Sequence, residues 1–267
     1  MPEATLNGVT IAYDDLAPPG PPERTILLLH GFASNRNEGW KRTGWYQALS
    51  RRGFRVVAMD QRGHGESMKS HDPADYGREA MAADAIALLD HLGVRRPEVF
   101  GYSMGTRTAL QIAIDAPDRV NNLILGGIGG KLFEPRPPSP DGETIGTAMA
   151  AEDPATIKNE FLKSFRQFAD EQGEDRQALA AFSAAFSAPL DQAAMRRLDM
   201  PVLVVAGEGD DLAGDPEDLA RMFLHGNGVT LRGCDHFSAI PHGALKATVF
   251  DFLDGLLGMD DDFPPFE

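Results

Sequence analysis

Glu98-Val99-Phe100-Gly101-Tyr102-Ser103-Met104-Gly105-Thr106 decides how the rest of the chain is read. Glu98 to Tyr102 reads as a strand, and Gly105 to Ala116 as a helix that stops before Pro117. The five residues at the junction, Gly101 to Gly105, fit G-x-S-x-G in a strand-turn-helix setting. Their glycines have a steric reason. A strand that turns sharply into a helix strains its tip residue and leaves no room for side chains two positions to either side. The tip hydroxyl, Ser103 Oγ, then projects above the sheet while the first amides of the helix point at any oxyanion formed there. Five residues alone recur in bare glycine turns; the flanking strand and helix favour a nucleophile.

Outward from this turn, short apolar runs alternate with helical patterns, the order of βαβ units feeding a mostly parallel sheet. Thr25 to Leu29 and Phe54 to Met59 are continuous apolar runs, as strands buried on both faces should be. Val9 to Tyr13 reads as an opening edge strand, and Trp45 to Arg52 as a short helix stopped by Gly53. Met81, Ala85, Leu88, Leu89 and Leu92 share one helical face, ended by Gly93. Val120 to Leu125 is the next strand. After a break the rhythm resumes with a strand at Val202 to Ala206, a helix at Pro216 to Leu224, a strand at Val229 to Leu231 and a helix spaced by Leu245, Val249, Phe252, Leu253 and Leu256.

The break is residues 129–197. Gly126, Gly127, Gly129 and Gly130, then Pro135, Pro137, Pro138 and Pro140, lead the chain out of the core. Beyond these prolines the chain is helical without strand signal, with Ile157, Phe161, Phe165 and Phe168 on one stripe and Leu179, Phe182 and Phe186 on another. We read 129–197 as an inserted helical cap, and 1–128 with 198–267 as one α/β core. Phe161, Phe165 and Phe168 are candidates to line an apolar substrate pocket, against the ordinary role of such a stripe as the cap's own core. The acidic tail 260–267 reads as a loosely held end.

A serine hydroxyl needs a base to take its proton and an acid to orient that base. On a sheet with this turn the three come in the order Ser, acid, His. That order removes His30, His64, His71 and His91. Of the remaining histidines, His225 ends a helix and His242 lies in a later loop, whereas His236 directly follows the last strand. His236 is the expected base. The acid should follow the preceding strand, which runs into Gly207-Glu208-Gly209-Asp210-Asp211. Neighbouring loop carboxylates point different ways, so one serves; Asp210 is preferred, with Asp211 the alternative. A calcium loop does not fit, because the D-x-[DN]-x-[DN]-G spacing is absent, and no metal is expected. A second oxyanion donor is available from His30-Gly31-Phe32 after the strand Thr25 to Leu29, where the Phe32 N–H could converge with that of Met104.

With these motifs in order, and with Asp60-Gln61-Arg62-Gly63-His64-Gly65-Glu66-Ser67 matching a D-x-R-G-H-G-x-S turn, the chain resembles the capped α/β-hydrolases over residues 5–128 and 198–257. The resemblance implies a Ser103–Asp210–His236 triad, an oxyanion hole from Phe32 and Met104, a structural role for the Arg62 to Ser67 turn, and no cofactor. One departure is Thr106, where many relatives carry a further glycine. The expected activity is a serine hydrolase of small-molecule carboxylic esters, acting through an acyl-enzyme. Serine at the turn argues against haloalkane dehalogenase and epoxide hydrolase, whose relatives carry aspartate there. Carbon–carbon bond hydrolases use serine too, but usually replace the R-G-H-G turn; lactonases do not differ at these positions. A non-catalytic binding protein on the same fold is the alternative of another class, and the presence of all three triad residues argues against it.

The charge balance narrows the partners. With 25 basic and 40 acidic residues the net charge is −15, which repels phosphate backbones and anionic lipid heads. No block of Lys and Arg offsets it, so neither nucleic acid nor a membrane surface is an expected partner. Cys234 is the lone cysteine and cannot form an internal disulfide. Met1 to Thr5 lacks a basic, then apolar, leader pattern, and no apolar run reaches the ~18 residues of a spanning helix, so a cytoplasmic protein is expected.

Overall fold

The computed structural model describes residues 2–22, 24–134 and 141–257; the proline run at Pro135 to Pro140 and the acidic tail lie outside them. Among the described residues eight strands form one sheet, β1 (Glu3–Leu6), β2 (Val9–Leu16), β3 (Arg24–Leu29), β4 (Phe54–Met59), β5 (Glu98–Tyr102), β6 (Leu123–Gly126), β7 (Val202–Gly207) and β8 (Gly226–Leu231). Their spatial order is β1-β2-β4-β3-β5-β6-β7-β8. β1 and β2 are antiparallel to their neighbours, and β3 to β8 run parallel. The protein is an α/β fold with a mostly parallel sheet flanked by helices.

Alternation along the strands accounts for the two-sided burial. Leu27, Leu29, Val57, Met59, Val99, Leu123 and Leu125 face one layer, which holds α2 (Arg78–His91), α3 (Met104–Asp115) and α8 (Pro216–Ala220). Ile26, Leu28, Val56, Ala58, Phe100, Ile124 and Leu203 face the other, against α1 (Trp45–Arg51) and α9 (Gly243–Leu253). There Trp40 and Trp45 are fully buried and meet Phe100 edge-on at ring distances of 4.8 and 5.1 Å. Burying one such ring contributes about 1.5–3 kcal/mol; the tryptophans are packing residues.

Several sequence expectations shift. The strand expected from Val120 begins at Leu123 and ends at Gly126. Val9 to Tyr13 is not at the edge: β2 runs on to Leu16 and the edge belongs to β1, joined to it by Asn7-Gly8, both at positive φ (52° and 80°) as a two-residue hairpin of this kind requires. The helix Pro216 to Leu224 ends at Ala220, so His225 ends no helix. The last strand starts at Gly226 rather than Val229, because Gly226 and Gly228 lie against α8. A Cβ on Gly226 would stand 2.8 Å from the Ala220 carbonyl carbon, and one on Gly228 2.8 Å from the Glu217 nitrogen.

Between β6 and β7 the described residues contain only helices: α4 (Ile145–Ala150), α5 (Glu160–Gln172), α6 (Arg176–Ala184), α7 (Gln192–Met195) and two short 3₁₀ turns, Gly130–Phe133 and Pro154–Thr156. Met149, Phe165, Ala169 and Leu179 pack together with Ala33 of the loop after β3. Glu174 ties this region to the sheet domain, accepting from Asn35 Nδ2 at 3.0 Å and from the Gly65 N–H at 2.9 Å. Burial raises the Glu174 pKa, against these hydrogen bonds. Phe186 falls beyond the end of α6 and is 85% exposed, so the second predicted stripe stops at Phe182.

Both glycines of the tight turn are required by contact. A Cβ on Gly105 would lie 2.6 Å from the Leu29 carbonyl carbon, and one on Gly101 2.6 Å from the Thr106 nitrogen. These neighbours are backbone and cannot swing aside. Gly105→Ala is therefore expected to destabilise by at least about 3 kcal/mol, lowering Tm by roughly 6 °C or more. Gly243→Ala is the control, because nothing lies within 4 Å of its Cβ; thermal unfolding of both variants is the measurement, and equal Tm values would refute the contact argument.

Candidate active site

Ser103 stands between β5 and α3 with φ 52° and ψ −112°, a conformation costing about 1–3 kcal/mol in a residue with a side chain. Its surroundings impose it. The Ser103 N–H donates to the Gly126 carbonyl at 2.8 Å, and the Ser103 carbonyl accepts from the Thr106 N–H at 3.0 Å and from the Thr106 hydroxyl. Thr106 is fully buried, so the departure from glycine clamps the turn.

β7 delivers Asp210 and β8 delivers His236 to the same edge of the sheet, the carboxyl ends of the parallel strands. The two loops are laced together: Gly209 N–H donates to the Cys234 carbonyl at 2.9 Å, and a Cβ on Gly207 would stand 2.7 Å from that carbonyl carbon. His236 Nε2 lies 2.8 Å from Ser103 Oγ, and His236 Nδ1 lies 2.7 Å from Asp210 Oδ2. Asp210 Oδ1 accepts the N–H groups of Leu212 and Ala213 at 3.0 and 3.1 Å. Its carboxylate, with a side chain 0% exposed, thus has an acceptor role on both oxygens and sets the histidine tautomer with the proton on Nδ1. Asp211 is exposed, and its backbone carbonyl, not its carboxylate, accepts Lys131 Nζ at 2.9 Å. Asp211 is outside the cluster.

Met104 is the first residue of α3, so its N–H has no acceptor within the helix. Phe32 follows Gly31, whose Cβ position lies 3.4 Å from Ser103 Cβ and brings that backbone against the serine. A lattice of buried groups fixes this loop. His30 Nε2 accepts the Gln61 N–H at 3.0 Å while Nδ1–H donates to the Gly31 carbonyl at 2.8 Å, and Gln61 in turn accepts from Thr108 Oγ1 at 2.7 Å. Burial lowers the His30 pKa, and burial followed by the neighbouring His30 pushes His64 down to about 3. Both stay neutral, supporting rather than exchanging protons. In the Asp60 to Ser67 turn, Asp60 accepts the N–H groups of Arg36 and Glu66 and pairs with the Arg36 guanidinium. Gly65, at φ 55°, has its Cβ position 2.8 Å from Asp60 Oδ1, and Arg62 forks onto buried Asp84 at 2.6 and 2.7 Å.

A cavity of about 650 Å³ opens over the serine, lined by Ser103, Met104, His236 and Phe32 from the core and by Phe165 and Phe182 from the helices between β6 and β7. Phe161 and Phe168 do not line it. Phe161 is 40% exposed against Phe165, and Phe168 packs on Phe237, because these positions on α5 turn toward the outer surface and the helical core. Two neighbours escaped the sequence reading. Tyr102 donates its hydroxyl to the His236 carbonyl at 2.6 Å, and burial raises its pKa, keeping it a donor. Phe237 meets His236 edge-on at 5.4 Å and Phe165 at 5.5 Å. Among the described residues no cluster of His, Cys, Asp and Glu could hold a metal, and no helix is long and apolar enough to cross a membrane.

The chain belongs to the α/β-hydrolase fold family, whose sequence model matches residues 24–149. It is similar to the 2-hydroxymuconate semialdehyde hydrolase of Pseudomonas sp. strain CF600, 30% identical over 85% of this chain and 86% of that one. It is also similar to 3-oxoadipate enol-lactonase 2 of Acinetobacter baylyi, 29% identical over 64% of this chain and 67% of that one. A hydrolase from Pseudomonas aeruginosa has the same fold, with a TM-score of 0.75, 26% identity, and coverage of 94% of this chain and 97% of that one. Other curated relatives are longer. The chain spans 41% of the dihydrolipoyllysine-residue acetyltransferase component of an acetoin cleaving system from Pseudomonas putida and 34% of an uncharacterised Mycobacterium tuberculosis protein.

Proposed function

We propose that the protein is a serine hydrolase of small-molecule carboxylic esters, needing no cofactor. The observation that carries the reading is the unbroken relay from Ser103 Oγ through His236 to Asp210, at 2.8 and 2.7 Å, with Ser103 and His236 lining the cavity. In this reading Ser103 Oγ attacks the acyl carbon as His236 Nε2 takes its proton. The oxyanion is held by the N–H groups of Met104 and Phe32, and His236 then protonates the departing alcohol. Water, deprotonated by the same nitrogen, releases the acid from the acyl-enzyme. Asp210 remains charged and stabilises the imidazolium.

The helices between β6 and β7 act as a cap, in which Phe165 and Phe182 form the wall met by an acyl chain. Each CH₂ buried there gains up to about 0.8 kcal/mol, roughly fourfold in kcat/KM. Among p-nitrophenyl esters, kcat/KM should therefore rise from acetate toward medium chains. Phe165→Ala and Phe182→Ala should move the optimum to longer chains, and Phe161→Ala should leave it in place. A flat profile in the parent would remove the acyl-pocket reading, and no turnover of any ester would remove ester hydrolysis.

A second reading is favoured by one finding: the semialdehyde hydrolase matches along most of both chains. Carbon–carbon bond hydrolysis on the same serine is therefore the competitor, although the Arg62-Gly63-His64-Gly65 turn argues the other way. A vinylogous diketone run beside the esters distinguishes them. Faster turnover of the diketone than of the best ester would transfer the assignment.

A further inference from the structure

The charge of the cavity wall runs against the charge of the chain. Acidic residues outnumber basic ones by 40 to 25 overall, yet Arg78, Arg107 and Lys131 line the cavity against one carboxylate, Glu134. Arg78 is firmly held. Its side chain is 9% exposed, Nε donates to Gln111 Oε1 at 2.7 Å, and Nη2 donates to the Ala188 carbonyl at 2.6 Å and to Glu79 Oε1 at 3.1 Å. Nη1 has no acceptor among the described residues. A guanidinium so nearly buried, with one nitrogen unengaged at a cavity wall, is an incomplete anion site. Lys131 adds a second charge: its ammonium donates to the Asp211 backbone carbonyl at 2.9 Å and has no carboxylate partner among the described residues.

We propose that Arg78, with Lys131, binds a carboxylate carried by the substrate, so that the protein acts on acyl compounds bearing a second, anionic end. The proposal rests on the serine-hydrolase reading and deepens it. The position of Gln111 on α3 sets the scale of the separation. Gln111, which holds Arg78, is eight residues after Ser103 on α3, roughly 12 Å along the axis at about 1.5 Å per residue. Phe182 and Met81 line the same cavity and suit the apolar carbons joining the two ends. The matching substrates are esters or lactones of medium-length dicarboxylic acids, with the reacting carbonyl at Ser103 and the free carboxylate at Arg78. Glu79 is the acid already on Arg78, and its side chain is 51% exposed, so water screens it more than it would a carboxylate inside the cavity.

The test compares p-nitrophenyl monoesters of glutaric to suberic acid with the same compounds capped as methyl esters. Parent enzyme should prefer the free acid at one chain length by at least about tenfold in kcat/KM, the size of one hydrogen bond to a charged group. Arg78→Gln should erase that preference, and Lys131→Gln should reduce it several-fold. Arg78 also anchors the segment at Ala188. The readout is therefore the ratio of acid to capped ester, which a merely structural loss would lower in both substrates and leave unmoved. Should Arg78→Gln fail to fold, Lys131→Gln and the salt dependence of the parent ratio carry the test. Turnover of capped esters with no preference for the free acid would overturn the anion site and leave the serine-hydrolase reading standing. If no ester of either kind is turned over, calorimetric titration with suberate decides separately. Binding weakened at least tenfold by Arg78→Gln, or several-fold by Lys131→Gln, supports the site, and no binding to the parent, or binding that neither substitution weakens, overturns it.

Discussion

Ser103→Ala should lose turnover of p-nitrophenyl esters by a factor on the order of 10⁶, the largest effect expected from any single change in this molecule. In the proposed mechanism the oxygen removed is the atom that attacks, and no other hydroxyl or thiol among the described residues stands at the His236 nitrogen to replace it. What remains over water comes from binding and the two oxyanion donors. Stability should scarcely change, because alanine suffers the same φ of 52° and keeps the backbone hydrogen bonds to Gly126 and Thr106. Ser103→Gly separates the two properties. It should be equally inactive, yet more stable by about 1 kcal/mol, since glycine tolerates positive φ. A fluorophosphonate probe should label the parent at Ser103 alone. Undiminished activity in Ser103→Ala, or labelling elsewhere, would end the assignment.

How legible this arrangement was in the sequence depends on where its information is stored. The Gly101 to Gly105 turn was readable because its constraint is local: two missing side chains and a strand before a helix state the geometry without reference to anything distant. His236 was readable from chain order and its place after a strand. The sheet's buried strands announced themselves as unbroken apolar runs. Glycine hid β8, since Gly226 and Gly228 are there for the approach of α8 and carry no strand signal of their own. The Asn7-Gly8 hairpin signal is present but flanks a four-residue strand with little apolar content.

Side-chain destinations were less legible. The spacing of Phe161, Phe165 and Phe168 states that they lie near one another on α5. It does not state what that surface covers, and the packing gives the cavity Phe165 while leaving Phe161 against the surface and Phe168 against Phe237. Phe182 reaches the cavity wall from the other stripe. Tyr102 sits at a variable position of the pattern, so nothing in its neighbours announces the bond to His236, 134 residues away. Arg78 likewise opens a helix in the manner of a surface residue, and only the tertiary fold brings Gln111 and Ala188 to it.

The choice between two adjacent carboxylates carries the second large effect. Asp210→Asn should lower kcat/KM by about 10⁴, and Asp211→Asn should leave it nearly unchanged. The reason lies in the donors and acceptors. The Asp210 side chain accepts from Leu212 N–H and Ala213 N–H on Oδ1 and from His236 Nδ1–H on Oδ2. An asparagine has one oxygen for these two sides. Two fixed backbone N–H groups demand that oxygen, which turns the amide NH₂ toward His236. Nδ1 must then become an acceptor, the ring proton moves to Nε2, and the nitrogen facing Ser103 becomes a donor that cannot take the hydroxyl proton. The opposite amide rotamer would set NH₂ against two N–H donors, buried at a side-chain exposure of 0%, and cost about 1–3 kcal/mol of stability. Asp211 has neither constraint: it is exposed, and Lys131 uses its backbone carbonyl, which the substitution keeps. Steady-state kinetics on one ester with both variants, beside their melting curves, is sufficient. A large loss at Asp211 with Asp210→Asn active would transfer the acid role to the neighbour, and equal small losses would mean that His236 needs no carboxylate to orient it.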